Sequence, residues 1–283
     1  MSAIEIYAEA AHRLWDDLAD RSIEHNDETL RYLLDRACSL IGADTAVWIG
    51  AVRLSDLVED VLCGWRPRGY LSLHPSTEQI DDVRRRDMKL YARGEPDITT
   101  LRQVERAGTF RVNRLMDLVP PEWFESDYYQ WRYRALGRED AIWAATPVNP
   151  DAECYYGIYR SSKHHRFTPE ERDGFGYILR GLKWFHRRQM LGNGLLIADT
   201  PLTPTERKVL HGLLAGRSEK EIAAQIGQSY NTTHHHVGII YRKFAVTNRP
   251  ALVALWLGVN GAANGTENGT TESAPVSHST VTL

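Results

Sequence analysis

The stretch from Leu202 to Leu257 constrains the fold more tightly than any other part of the chain, because helix-start signals recur in it at short intervals. Thr203 suits an N-cap, Pro204 the first helical position, and Glu206 completes a capping box, so a helix is predicted to begin there. Val209, Leu210, Leu213 and Leu214 fall on one stripe, and Gly216 ends the helix. Ser218 caps a second helix with Glu221 at its third position. Ile222, Ala223 and Ile226 form its apolar face, the small Ala223 admits a neighbouring helix, and Gly227 supplies the bend. A third helix is predicted from Ser229 to about Phe244, with Thr233, Val237, Ile240 and Phe244 as its buried stripe. A last helix over 249–257 carries Leu252, Val253, Leu255 and Trp256, more apolar surface than one small domain needs; dimer contact and core packing both account for it.

Charge separates this stretch from the rest. Residues 202–257 hold seven Arg and Lys against three Glu, a net +4, whereas the whole chain is at −3, leaving −7 for everything else. A cationic module in an acidic chain suits a polyanionic partner. Outside its buried stripe the third helix offers Tyr230, Asn231, His234, His235, Gly238, Arg242 and Lys243. Two short helices joined by a glycine turn, the second polar at its start and basic at its end, make a helix-turn-helix. Such a helix fits the major groove of double-stranded DNA, its first turns meeting base edges while Arg and Lys take phosphates.

The segment resembles the LuxR/NarL-type helix-turn-helix of bacterial transcription regulators, through LTPTE at 202–206, GRSEKEIA at 216–223 and SYNTTHHHVGIIYRKFAV at 229–246, ending in Arg249. The resemblance implies a four-helix domain that binds DNA as a homodimer, with the helix at 229–244 in the major groove. It matches Thr232 and Lys243 to the family's backbone-contacting threonine and lysine, Glu221 and Ile222 to its Glu-Ile step, and His236 to a chiefly structural histidine. It places His234 and His235 where base edges are commonly faced. Thr233 replaces the usual valine and Phe244 the usual leucine. Gly238 lacks a side chain at a position that often reaches DNA, which shifts readout toward His234, His235 or Tyr230. Gly238 also costs roughly 1 kcal/mol of helix propensity relative to alanine, so the helix is expected to order fully only on DNA. Consecutive helical side chains point ~100° apart, so the three histidines cannot converge on one metal ion.

At 283 residues there is room for two cores. The expected organisation is a sensory and dimerisation domain over 1–198, the DNA-binding domain over 199–258, and a disordered tail over 259–283. In the first domain, helices are predicted at 4–18, 27–41, near 78–92 and at 169–191, with strands at 45–53, 108–114, 141–147 and 153–160. Helices before an antiparallel sheet and a long closing helix resemble a GAF- or PAS-like sensory fold, so the whole chain is placed in the α+β class with an all-α C-terminal domain. The closing helix would run toward Thr203 and could transmit a shift in dimer geometry.

The aromatic run over 120–143 supplies candidate ligand-pocket residues: Trp123, Tyr128, Tyr129, Trp131 and Trp143, with Asp127 or Asp140 to position a polar group of a small hydrophobic or aromatic ligand. PEWFESDYY followed by LGRED resembles a stretch of the acyl-homoserine-lactone receptors, though it lies later in the chain than in that family. A ligand pocket, a sheet-packing core and a lactone pocket all remain open readings. His164 and His165 read as a solvated loop or an anion contact. Cys38, Cys63 and Cys154 form no paired framework and are expected as buried reduced thiols, a reactive thiol being the alternative.

No glycine-rich nucleotide loop, spaced metal cluster, or nucleophile and base pair stands out, so neither enzyme activity nor a cofactor is expected. No phosphate-receiver pattern is visible. Without a signal peptide or an 18-residue apolar run, a cytoplasmic protein with no membrane partner is expected. The preferred reading is a sequence-specific transcriptional regulator controlled by a small molecule or partner, with RNA polymerase a further candidate contact. The alternatives are a ligand-free dimeric regulator, and an enzyme or scaffold whose C-terminal helices bind protein.

Overall fold

A computed structural model describes residues 3–22, 25–53, 60–196 and 202–257. The tail expected over 259–283 lies outside them. Helices α1 (Ala3–Ala19) and α2 (Asn26–Ile41) lead into strands β1 (Thr45–Arg53) and β2 (Trp65–Ser72). Next come α3 (Glu78–Arg93), α4 (Ile98–Val104), β3 (Arg111–Arg114), α5 (Leu115–Leu118) and α6 (Asp127–Arg132). Strands β4 (Asp140–Asn149) and β5 (Ala152–Arg160) and helices α7 (Pro169–Arg180) and α8 (Lys183–Gly192) complete the N-terminal domain. The strands form one antiparallel sheet in the order β2-β1-β5-β4-β3. This is the GAF- or PAS-like α+β arrangement expected from the sequence.

Alternation along each strand divides the sheet between two cores. Ala46, Trp48, Ile142, Tyr156 and Ile158 face one way and are covered by α1, α2, α7 and α8 through Leu30, Leu34, Phe175, Ile178 and Phe185. Val47, Ala141 and Tyr159 face the other way, against Leu115, Trp123, Tyr129 and Tyr133.

Three expectations change. Strand β2 was not predicted: Pro67 and Gly69 interrupt its alternation, which is tolerated because it is an edge strand with a register shift opposite Gly50/Ala51. Strand β3 is shorter than 108–114, since Gly108 turns at φ 84 and its N–H donates to Glu153 instead. The single helix over 169–191 is two. The Trp15 indole N–H donates to the Ile178 carbonyl at 2.8 Å, where helix continuation would need Leu182. Leu182 N–H turns to Leu179 O instead, and a Cβ on Gly181 would meet the Trp15 ring at 2.5 Å. Of the three thiols expected to be buried, Cys38 and Cys154 are, and burial pushes both up to about 12; Cys63 is exposed at φ 47, beside the turn that enters β2. His164 bonds Asp44 at 3.0 Å in an exposed loop.

On α8, His186 is fixed between Leu179 O (Nε2, 2.9 Å) and the Tyr156 hydroxyl (Nδ1, 2.8 Å). The carbonyl can only accept, so Nε2 carries the proton and Nδ1 accepts from the tyrosine. Burial pushes the imidazole down to about 4. The unfolded chain takes a proton below about pH 6.5 while the folded one refuses it, so stability present above that pH is lost as pH falls toward 4. The loss over that window is expected to be about 3 kcal/mol, absent from His186→Gln, and is read from urea midpoints at stepped pH.

Candidate nucleic-acid interface and ligand cavity

The C-terminal domain consists of α9 (Pro204–Leu214), α10 (Glu219–Ile226), α11 (Tyr230–Lys243) and α12 (Arg249–Leu257). Its caps form as the sequence predicts. Thr203 with Glu206 and Ser218 with Glu221 close reciprocal capping boxes, and Ser229 accepts from the Thr232 N–H. Gly216 (φ 80) ends the turn after α9, and Gly227 (φ 69) caps α10. The core joins Val209, Leu210 and Leu213 to Ile222, Val237, Ile240, Phe244 and Leu252. Thr233 is wholly buried in place of the family's valine. Helices α9 and α10 approach closely, since a Cβ on Gly212 would meet Ile222 at 2.6 Å. Arg249 ties α12 to the α9–α10 turn by donating to Arg217 O at 2.6 Å. Leu252 of α12 belongs to this core, while the side chain of Trp256 lies outside the described residues.

This packing leaves Tyr230, Asn231, Thr232, His234, His235, Gly238 and Arg242 exposed along α11. Tyr230 stacks on His234, ring centroids 6.0 Å apart, and His234 Nδ1 lies 2.9 Å from Glu219 on α10. The Thr232 hydroxyl bonds Ser229. Helix α11 runs without a break through Gly238, its buried stripe of Thr233, Val237 and Ile240 packed on the rest of the domain. Lys243 is not on the open face: its ammonium donates to Glu206 at 2.8 Å and its side chain is 19% exposed. Burial raises the Glu206 carboxyl, but the Lys243 ammonium and the Thr203 N–H hold it below its ordinary value. Among the described residues no three His, Cys, Asp or Glu groups converge as a metal site.

The two domains are in contact. Arg207 of α9 donates to Asn193 at 2.8 Å and lies 3.7 Å from Asp27, Arg187 of α8 donates to Leu255 O at 3.1 Å, and Leu191 joins the C-terminal core. The helix that reaches the C-terminal domain is therefore the short α8, not one continuous closing helix.

A cavity of about 750 Å³ is lined mainly from strands β1 and β2 and helices α3, α4 and α6, with Asn193, Leu202 and Arg207 also on its border. Of the aromatic run, Tyr128, Tyr133 and Trp143 border it. Trp123 and Tyr129 are buried in the second core, where the Trp123 indole N–H donates to Asp97 and the Tyr129 hydroxyl to Glu139 O. Trp131 lies under the Arg86 guanidinium, and Asp127 is exposed in the first turn of α6; neither borders the cavity. Asp140 is buried and accepts from the Phe167 and Ala141 N–H groups.

Residues not singled out from sequence also line it, among them Tyr70 of β2, Asp87 and Tyr91 of α3, Gln103 of α4 and Arg132 of α6. Asp87 pairs with Arg132 at 2.7 Å and accepts from the Tyr128 hydroxyl at 3.2 Å; burial pushes its carboxyl up against the pull of that guanidinium. The spacing of Arg84, Asp87, Met88 and Tyr91 marks one helix face, but its mixed polarity hides it from an apolar-stripe reading.

The capped helix-turn-helix defines a DNA-binding class of domain. Residues 200–256 match the family model of bacterial regulatory proteins of the luxR family, and the C-terminal domain is a LuxR-family helix-turn-helix. Over 59 residues the chain is 41% identical to the probable transcriptional regulatory protein SgaR of Hyphomicrobium methylovorum, a match covering 21% of this chain and 28% of that relative's length. Among solved structures, SdiA in complex with octanoyl-rac-glycerol is similar at TM-score 0.46 and 12% identity, over 90% of this chain and 96% of that one. The VqsR LBD domain from Pseudomonas aeruginosa is similar at TM-score 0.44 and 12% identity, over 64% of this chain and 97% of that one. Among the described residues no helix is long and apolar enough to cross a membrane.

Proposed function

We propose that the chain is a one-component transcriptional regulator: residues 1–198 sense a small molecule and dimerise, and residues 199–258 bind double-stranded DNA as a homodimer with α11 in the major groove. The observation that carries this reading is the exposed stripe of α11, polar at its start and basic at its end, on a capped and fully packed LuxR-family domain. In this reading Tyr230, Asn231, His234 and His235 meet base edges, and Thr232, Arg242 and Lys243 meet the backbone. Ligand control is supported by the cavity, whose border includes Asn193 of the N-terminal domain and Leu202 and Arg207 of the C-terminal one. A ligand that moves this border changes how α9 is held.

The test is selection of randomised duplex DNA by the full chain, followed by anisotropy titrations across a salt series. The wild type is expected to enrich one sequence family. Asn231→Ala and His235→Ala should change what is enriched, whereas Arg242→Gln should weaken binding to every duplex and reduce the salt slope by about 1. Absence of enrichment together with salt-independent binding would return the chain to the scaffold reading.

A further inference from the structure

We infer that the N-terminal cavity takes an amphipathic organic anion: a molecule with an apolar, preferably aromatic body, an uncharged hydrogen-bond acceptor at one end and a carboxylate at the other. This rests on the reading of that cavity as the sensor and adds the chemistry of what it senses.

The acceptor is called for by Gln103. Gln103 is among the residues that line the cavity, it is 8% exposed, and its Oε1 accepts from Arg111 Nε at 2.9 Å. A guanidinium only donates, so the amide cannot be turned over, and Nε2 must be the group that looks away from Arg111. That Nε2 is buried and has no hydrogen-bond partner in the protein. Buried amide donors are almost always paired, so an unpaired one in a cavity wall points to an acceptor supplied by a ligand.

The body is defined by the walls. Tyr70, Tyr91, Tyr128, Tyr133 and Trp143 present ring faces and edges suited to a flat apolar molecule.

The charge is defined at the rim. Arg66, Arg84 and Arg132 border the cavity, but Asp60, Asp81 and Asp87 neutralise them. Arg68 and Lys89 also border it, both are exposed, and neither makes an ion pair or hydrogen bond among the described residues. The lining therefore has an excess of positive charge concentrated on β2 and α3. An anion seated there is attracted more strongly than it would be on an open surface. Arg68 stands on β2, while Gln103 is held against Arg111, whose guanidinium also bonds Tyr155 on β5. Strands β2 and β5 are two intervals apart, roughly 10 Å across the sheet.

The full chain is titrated calorimetrically with 6-hydroxy-2-naphthoate, its neutral amide, octanoate and octanoyl glycerol. The naphthoate is expected to bind about tenfold or more tighter than its amide. Lys89→Gln and Arg68→Gln should each weaken the acid roughly three- to tenfold and leave the amide within about twofold, because both side chains lie on the surface and act by charge. Gln103→Glu keeps the acceptor that Arg111 needs but removes the donor, so it should weaken acid and amide alike. If the amide or octanoyl glycerol binds as tightly as the acids, the anion assignment falls and the cavity remains a sensor of neutral molecules. If none of the four binds, the sensor reading falls with it.

Discussion

Arg111→Met is expected to destabilise the N-terminal domain by about 3–5 kcal/mol, read as a lowered urea midpoint with unchanged slope. Arg111 and Glu153 are a buried pair with side chains 1% and 0% exposed. All five guanidinium protons have acceptors: Nη1 donates to Glu153 Oε1 and Thr109 O, Nη2 to Glu153 Oε2 and the Tyr155 hydroxyl, and Nε to Gln103. Methionine fills much of the stem's volume but leaves the Glu153 carboxylate buried, still accepting from the Gly108 N–H but without the guanidinium. Most of the loss is therefore the cost of a stranded charge, not of lost contact. The double variant Arg111→Met/Glu153→Met discriminates: removing both charges should recover most of the stability lost by the single variant. A single-variant loss below about 1 kcal/mol would mean the site admits water, and the account of a sealed network would be wrong.

That network also marks where sequence reasoning reaches its limit. The caps at Thr203, Ser218 and Ser229 were legible because each is decided within three residues, by a side chain and the backbone beside it. The C-terminal domain was legible nearly whole for the same reason, its stripes and turns being local. What escaped is set by partners far away in sequence. The break between α7 and α8 depends on Trp15, 163 residues from the carbonyl it captures. Strand β2 is held by β1 despite Pro67, a residue that argues locally against a strand.

The cavity was half legible. The aromatic run was rightly marked as dense with large rings, but no local rule says which rings point into a space and which fill a core. Trp123 is claimed by Asp97 and Tyr129 by Glu139, while Tyr128 turns to Asp87 and the cavity. Gln103 carries no sequence signal at all. Its interest arises only because Arg111 takes one end of its amide and nothing in the protein takes the other.

Lys243→Ala is expected to remove most DNA affinity, but through two separable effects. The ammonium donates to Glu206 Oε2, which also accepts from the Thr203 N–H and so closes the cap of α9. Truncation strands a carboxylate 6% exposed and should cost about 1–3 kcal/mol of domain stability. Because Glu206 is held below its ordinary value of 4.5, that contribution is present above the unfolded value and lost as pH falls through the lower folded one. The truncation penalty should therefore shrink below about pH 4.5. An ammonium has three protons, so pairing with Glu206 orients Lys243 without preventing it from meeting a phosphate. Glu206→Gln/Lys243→Gln separates the effects, since two neutral amides can satisfy each other where a lone carboxylate cannot. The double variant should fold within about 1 kcal/mol of the wild type yet still bind every duplex weakly, with a salt slope reduced by about 1. Recovery of full affinity together with stability would make Lys243 a support for α9 alone and move the backbone contact to Arg242, the exposed cation one residue earlier on α11.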